Sequence, residues 1–143
     1  MGKRRARKTT PDRRRLLEAE HGPEAGAFSS HAGRRVALVC PSDYRVGMSS
    51  LGFQLLRQVI QNTCGWRTER FFADTAAGGS LETASPLGDF DLVAVSAITP
   101  GITRAYEIAD GLRERGITCV VGGAHVSALP DEALEHFDSV VIG

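Results

Sequence analysis

The sequence has no apolar segment that could cross a membrane. None of its 143 residues lies in a run that approaches the roughly 20 apolar residues of a membrane helix. The charged N-terminus is not followed by the apolar segment that a secretory signal requires. We therefore expect a cytoplasmic protein that makes no contact with a membrane.

Cysteine is scarce, with three residues at Cys40, Cys64 and Cys119. Their odd number and wide spacing argue against a disulfide framework, and they form no C-x-x-C pair of the kind that binds zinc. Cys40 and Cys119 fall inside predicted core strands. We interpret both as small core residues.

Several motifs that would identify an enzyme are missing. The sequence contains no G-x-G-x-x-G, no G-x-x-x-x-G-K-[ST] and no G-x-S-x-G, which are the marks of dinucleotide sites, P-loops and hydrolase elbows. It also lacks C-x-x-x-C-x-x-C, the thiolate triplet that holds an iron–sulfur cluster. A flavin site or a phosphoacceptor receiver domain fits poorly, because the first predicted strand leads into Ser42-Asp43-Tyr44-Arg45 and the third ends in Ser96. We predict no catalytic residue in this chain.

Charge is unevenly distributed although the formal net charge is zero. Residues 1–33 carry eight Lys or Arg and four Asp or Glu, whereas residues 34–143 carry nine and thirteen. The first segment is predicted to be a disordered, flexible basic arm, with one short helix that Thr10 could cap, Pro11 could begin and Gly22 could end. Residues 3–15 could contact nucleic-acid phosphates nonspecifically. A solvated leader is the favoured reading, since no aromatic residue is interleaved to stack on bases.

From Arg34 onward the pattern predicts alternating strands and helices. Apolar runs indicate five strands, at residues 36–40, 67–73, 90–96, 117–121 and 140–142. Helical spacing indicates helices at residues 48–63, 102–115 and 131–136. Residues 41–47 are predicted to form a loop, and residues 74–89 a loop with one turn at most. Strands joined by crossover helices form a parallel sheet. We predict an α/β, flavodoxin-like doubly wound parallel sheet of about five strands in a Rossmann-type domain over residues 34–143.

Polar residues and glycines follow the predicted strands at the points where each one ends. Because the carboxyl ends of parallel strands meet at one edge of a sheet, this arrangement predicts a ligand crevice there. Paired glycines after the fourth strand would let the backbone approach a bulky ligand closely. The candidates are Asp43 and Arg45 after the first strand, Ser96 and Thr99 after the third, and Gly122, Gly123, His125 and Ser127 after the fourth.

Three stretches in this order resemble a known family. They are PSDYRVGMSSLG at residues 41–52, SLET at residues 80–83 leading to Phe90-Asp91, and GGAHVSALPDEAL at residues 122–134 followed by FDSVVIG. Together they resemble the N-terminal cobalamin-binding domain of cobalamin-dependent radical S-adenosylmethionine enzymes. The resemblance covers residues 34–143, everything except the arm.

The resemblance implies a cobalamin site whose first motif departs from that of the wider cobalamin-binding fold. That fold carries D-x-H-x-x-G after its first strand, where this chain has Asp43, Arg45 in place of the histidine, and Gly47 one residue early. Arginine stays protonated and cannot ligate cobalt, so the resemblance implies a detached benzimidazole tail and no metal ligand from this loop. The implied cofactor-binding residues are Asp43, Tyr44, Arg45, Gly47, Ser96, Thr99, Gly122, Gly123, His125 and Ser127. His125 could meet the cofactor or brace its own loop.

The resemblance also implies a role. The chain would present the corrin to a downstream radical S-adenosylmethionine domain, in cis or in trans, with the 4Fe-4S cluster and S-adenosylmethionine held only by that parent enzyme. We expect the domain to be truncated at its C-terminal end. The alternative is a scaffold that binds no cobalamin and whose basic arm contacts nucleic acid.

Overall fold

The structure, a computed structural model, describes residues 12–21, 33–75 and 79–143. Thr10 and Pro11 lie outside these residues, as does most of the predicted arm. The strands are β1 (Arg35–Cys40), β2 (Arg67–Phe72), β3 (Leu92–Ser96), β4 (Cys119–Gly122) and β5 (Ser139–Val141). The helices are α1 (Arg13–His21), α2 (Tyr44–Ser49), α3 (Leu51–Cys64), α4 (Ile102–Arg113), α5 (Ala124–Ala128) and α6 (Pro130–Leu134). No helix in these ranges is long and apolar enough to span a membrane.

The five strands form one parallel sheet in the order β2-β1-β3-β4-β5. Strand order reverses between β1 and β3, which is the switch point of a flavodoxin-like sheet. The predicted fold class is confirmed. The predicted strand and helix bounds differ from the observed ones by at most a few residues, for example Cys119–Gly122 instead of residues 117–121.

One face of the sheet is fully covered. Buried Val93 and Val95 of β3 and Val121 of β4 face a layer built from α4, α5 and α6, whose buried contacts include Ala105 and Phe137. Small alanines on α4 let the helix approach the strands closely, which is the usual basis of helix-on-sheet packing. Cys119 is buried on this side as predicted, and burial raises the pKa of its thiol to about 11.

The opposite face is covered over only half its width. Phe53 of α3 packs against Leu38 of β1 and Phe72 of β2, and Leu17 of α1 is buried in the same cluster. No described helix covers β3, β4 and β5 on this side. The result is a step between the edge of α3 and the exposed half of the sheet.

Buried charges hold α1 on this half of the molecule. The Arg70 side chain, which is completely buried, pairs with Glu82 at 2.6 Å and with Glu20 of α1 at 2.7 Å. Arg13 also donates hydrogen bonds to the carbonyl oxygens of Leu81 and Glu82 at 2.9 and 2.8 Å. The part of the predicted arm that the structure describes beyond residue 12 is therefore a helix packed on the domain.

Two local predictions were wrong. Residues 41–47 were predicted as a loop, but α2 begins at Tyr44 and includes Gly47. A Cβ on Gly47 would be 2.4 Å from the Phe72 ring, so the packing of α2 against Phe72 requires a glycine here. The loop predicted after β4 contains the short helix α5. Between residues 79 and 89 the longest helical feature is a 3₁₀ turn, Leu87–Asp89, as the loop prediction required.

Candidate functional site

An apolar cleft of about 460 Å³ occupies the step beside α3. Its floor is the uncovered half of the sheet. The residues that line this floor alternate along the strands with residues that are buried on the opposite face. They include Ala94 and Ser96 of β3, Val120 and Gly122 of β4, and Val141 of β5. This side of three neighbouring strands is therefore an open hydrophobic surface.

The wall of the cleft is one face of α3. Gly52, Leu56, Ile60 and Cys64 recur every four residues and line it from end to end. A Cβ on Gly52 would meet no atom within 4 Å, so this glycine keeps the entrance wide and is not required by packing. The helix predicted over residues 48–63 thus exists, but much of its apolar surface faces the cleft or solvent, and Phe53 is the residue of α3 that is buried in the core.

The cleft runs along the strands from their amino ends to their carboxyl ends. Val36 and Leu92 are neighbours at the amino edge, where Trp66 also lines the cleft, and Ser96 and Gly122 are neighbours at the carboxyl edge. The four residue steps from Leu92 to Ser96 span about 13 Å. A ligand in the cleft would therefore have one end at the loops and the other near Trp66.

Gly122 leaves room above the floor at the carboxyl end. A Cβ at this position would be 3.6 Å from the Cβ of Val141, an ordinary van der Waals contact. The protein alone does not need a glycine here. Its effect is to keep the cleft open next to the hydroxyl of Ser96.

Gly123 has a different role. Its φ is +123°, and a Cβ would be 2.2 Å from the carbonyl oxygen of Ala97. This backbone conformation is one that residues with a side chain rarely adopt. Gly123 therefore forms the turn from β4 into α5 and holds it close to the loop after β3.

His125 joins the loops after β3 and β4. Its Nδ1 lies 3.2 Å from Thr99 Oγ1 and its Nε2 lies 3.4 Å from Glu132 Oε1. The hydrogen bond from Tyr106, and to a lesser extent the one from His125, holds the pKa of Glu132 below its usual range. Both ring nitrogens of His125 thus have protein partners, an arrangement that braces Thr99 at the carboxyl edge.

Ser127 closes the same edge. Its Oγ donates to the carbonyl oxygen of Gly123 at 2.9 Å and accepts a hydrogen bond from the backbone N–H of Gly143 at 3.2 Å. The hydroxyl ties α5 both to the glycine turn and to the backbone after β5.

The four residues predicted from the first loop lie on or next to α2 and do not line the cleft. Asp43 precedes the helix, and the exposed Arg45 projects from it. Tyr44 stacks edge-on against Phe72 and donates a hydrogen bond to Glu20. Burial and that bond raise the pKa of Tyr44. Tyr44 and Gly47 therefore contribute to packing over β2.

Of the ten predicted residues, the structure places Ser96, Gly122 and Gly123 in the cleft. Thr99, His125 and Ser127 form the hydrogen-bonded loops at its carboxyl end. Residues of α3 and Trp66 were not predicted as part of the site. The spacing of Gly52, Leu56 and Ile60 on one helix face was the signal that could have found them.

Within residues 12–21, 33–75 and 79–143, no group of three or more His, Cys, Asp or Glu side chains is placed to hold a metal ion. The chemical character of the site is that of an elongated apolar slot with polar loops at one end. It suits a ligand that has an apolar part and a larger polar part.

Comparison with known proteins gives a consistent result. The family model described as the B12 binding domain matches residues 44–143. Bacteriochlorophyllide d C-8(2)-methyltransferase from Chlorobaculum tepidum is 52% identical over 56 residues, 39% of this chain and 12% of that protein. Bacteriochlorophyllide d C-12(1)-methyltransferase from the same organism is 32% identical over 72 residues, 50% of this chain and 15% of that protein. The matched region is thus a small part of each relative.

Proposed function

The chain belongs to the B12 binding domain family, and we propose that it is the cobalamin-binding module of a cobalamin-dependent radical S-adenosylmethionine methyltransferase. Two relatives named as methyltransferases support the type of parent enzyme. The cleft beside α3 is the observation that carries the proposal. It gives an apolar ligand tail a place to enter the domain.

The residues present fit this cofactor. Ligand clefts in proteins commonly measure about 300–1,000 Å³ and combine an apolar lining with a few polar groups. The cleft here is of that size, and its apolar floor and wall suit an aromatic base. Packing does not require a glycine at position 122. Gly122 provides space where the tail would pass from the loops into the cleft.

Each predicted site residue has a proposed part. Ser96 hydrogen-bonds the tail near the carboxyl edge, and Gly122 and Gly123 provide the space and the turn. Thr99 and Ser127 would offer polar groups to the cofactor at the carboxyl end of the cleft. His125 positions Thr99, since both of its nitrogens already have protein partners.

The first loop and α2 help to position the cofactor, and they supply no ligand to cobalt. Arg45 is exposed on α2, and its guanidinium has no lone pair to donate to a metal. Asp43 and Gly47 fix the start and the packing of α2, and Tyr44 ties it to α1 through Glu20. Cobalamin is therefore proposed to bind with its benzimidazole tail detached from cobalt and inserted in the cleft.

The radical chemistry belongs to a further domain. Cobalamin supplies the transferable methyl group in such a scheme, while this module binds and orients the corrin. The 4Fe-4S cluster and S-adenosylmethionine would be held by a radical domain that acts in cis or in trans. The matched segment covers 12% and 15% of the two relatives, so the reaction and substrate of the complete protein are part of this proposal.

A nucleic-acid scaffold is not favoured. Most of residues 3–15 fall outside the described ranges, and the arginines of α1 have protein partners. Arg13 bonds to two carbonyl oxygens, and Arg14 pairs with Glu18 at 2.9 Å.

The test is retention of the cofactor. The purified chain is incubated with hydroxocobalamin and desalted, and the visible spectrum of the protein fraction is recorded. We expect the pigment to co-elute with the spectrum of a detached-tail corrinoid. A colourless fraction from a sample whose circular dichroism shows the folded state would contradict the proposal, and a tail-on spectrum would contradict the detached state.

A further inference from the structure

We propose that the amino end of the cleft selects corrinoids by the lower base on their tail, accepting a benzimidazole and rejecting a purine. This inference rests on the proposed function, because it requires the tail to enter the cleft. It assigns specificity to Leu92 and Trp66, neither of which was among the residues predicted from the sequence.

The amino end offers hydrocarbon and one aromatic ring. Val36 and Leu92 are paired across β1 and β3, and Ile60 faces them from α3. Trp66 closes this end, between Cys64 at the end of α3 and the start of β2. The strand backbone groups are engaged in the parallel ladder and are not free to bind a base.

The side-chain polar groups near this end donate more readily than they accept. The indole of Trp66 carries an N–H donor and no acceptor, and the thiol of Cys64 is a weak donor and a weak acceptor. The hydroxyl of Ser96 is a good acceptor, but it lies at the other end of β3, about 13 Å away. A donor group on a base placed beside Leu92 would therefore find no strong acceptor on the lining side chains.

The two classes of lower base differ in this respect. A benzimidazole attached to ribose through one nitrogen keeps a single ring nitrogen, which accepts a hydrogen bond. Adenine adds two further ring nitrogens and an exocyclic amine that donates. Burying that amine without an acceptor costs enough to weaken binding about tenfold or more.

The experiment compares three corrinoids by equilibrium dialysis against the purified chain. They are cobalamin, the analogue with adenine as its lower base, and cobinamide, which has no base. We expect cobalamin to bind at least about tenfold more tightly than the adenine analogue and cobinamide to bind more weakly than cobalamin.

The outcomes distinguish failure of the base selectivity from failure of the proposed function. If the adenine analogue matches cobalamin while cobinamide is weaker, the tail uses the cleft and the base selectivity is overturned. Equal affinity for cobinamide and cobalamin would show that the tail contributes nothing, which overturns the seating of the tail in the cleft. Failure to bind any of the three overturns the proposed function, and the selectivity with it.

A matched pair of variants locates the selectivity. Leu92→Asn places an amide oxygen at the amino end of the cleft and should at least halve the preference for cobalamin over the adenine analogue. Leu51→Asn makes the same change on a leucine that is 85% exposed and does not line the cleft. It should leave the preference unchanged. An unaltered preference in a folded Leu92→Asn variant would overturn the assignment to this end.

Discussion

The carbonyl oxygen of Ala97 lies 2.2 Å from the position that a Cβ on Gly123 would occupy. The neighbouring glycine, Gly122, has its nearest potential contact at 3.6 Å, on Val141. Two adjacent glycines that look alike in the sequence therefore have different reasons to be there. The structure requires Gly123 for the turn, whereas Gly122 keeps the cleft open.

This difference predicts effects of different size on stability. Gly123→Ala should lower the free energy of unfolding by about 2 kcal/mol or more, because the backbone is strained and the new methyl group overlaps the Ala97 carbonyl. Gly122→Ala should change it by less than about 0.5 kcal/mol. Urea unfolding followed by circular dichroism measures both. Equal losses in the two variants would contradict the distinction.

The buried ion pair of Arg70 and Glu82 should be costly to break from one side. Burial alone lowers the pKa of Arg70, but the carboxylates of Glu82 and Glu20 outweigh it and raise that pKa. Arg70→Met leaves Glu82 buried with Arg57, at 3.4 Å, as its remaining cationic partner among the described residues. We expect a loss of about 3–5 kcal/mol in the free energy of unfolding.

The double variant is the control for this prediction. Arg70→Met combined with Glu82→Leu should recover part of the loss, because the buried Glu82 carboxylate is removed together with its main partner, while Glu20 loses Arg70 in the single and the double variant alike. The measurement is again urea unfolding. A double variant that loses the sum of the two single losses would show that the pair acts only through packing.

Glu69 should make the stability depend on pH at the acid end. Burial raises the pKa of this carboxyl, but hydrogen bonds from Ser80, Thr83 and Arg35 and the charge of Arg67 outweigh it and lower the pKa. A lowered folded-state pKa means that the stabilisation is present above the unfolded value, about 4.3, and is lost as the pH falls through the folded value. The unfolding free energy of the wild type should therefore exceed that of Glu69→Gln by the largest amount at pH 7. The excess should shrink below about pH 4, and a constant excess would contradict this account.

His125 should affect cobalamin affinity as a positioning residue. His125→Ala removes the brace on Thr99 and should weaken binding up to about tenfold, the value of one hydrogen bond. His136 is the matched control, because its Nδ1 pairs with Asp110 at 2.9 Å and, unlike the Nδ1 of His125, does not bond to Thr99. His136→Ala should leave affinity unchanged in a spectroscopic titration. Equal weakening by both variants would indicate a general loss of stability.

Much of the fold followed from the sequence because strand patterns and glycine turns are local signals. The apolar run before Cys40 and the one before Ser96 both proved to be central parallel strands. The segment SLET, first noted only as part of a resemblance, has a structural explanation. Ser80 donates to Glu69, Leu81 is completely buried, and Glu82 pairs with Arg70.

The site was less predictable because its walls come from residues that also look like a core. Helical spacing predicted a helix over residues 48–63, but it did not show that Leu55 would be 59% exposed or that Leu56 would line the cleft. Helical periodicity identifies an apolar face but not what covers it. Gly47 was predicted to meet the cofactor, and its contact with Phe72 depends on a strand that lies 25 residues away in the sequence. Such a contact has no local signal.

The central claim is that the tail of cobalamin enters the cleft past Gly122, and one comparison tests it most directly. Gly122→Val should fold normally, since valine suits a strand, but its side chain should fill the entrance and lower cobalamin affinity at least about tenfold. Gly111→Val is the control, because a Cβ on Gly111 meets nothing within 4 Å on α4. We predict wild-type affinity for Gly111→Val, and for Gly122→Val an affinity lower by about tenfold or more with unchanged circular dichroism. Wild-type affinity in a folded Gly122→Val variant would contradict the claim.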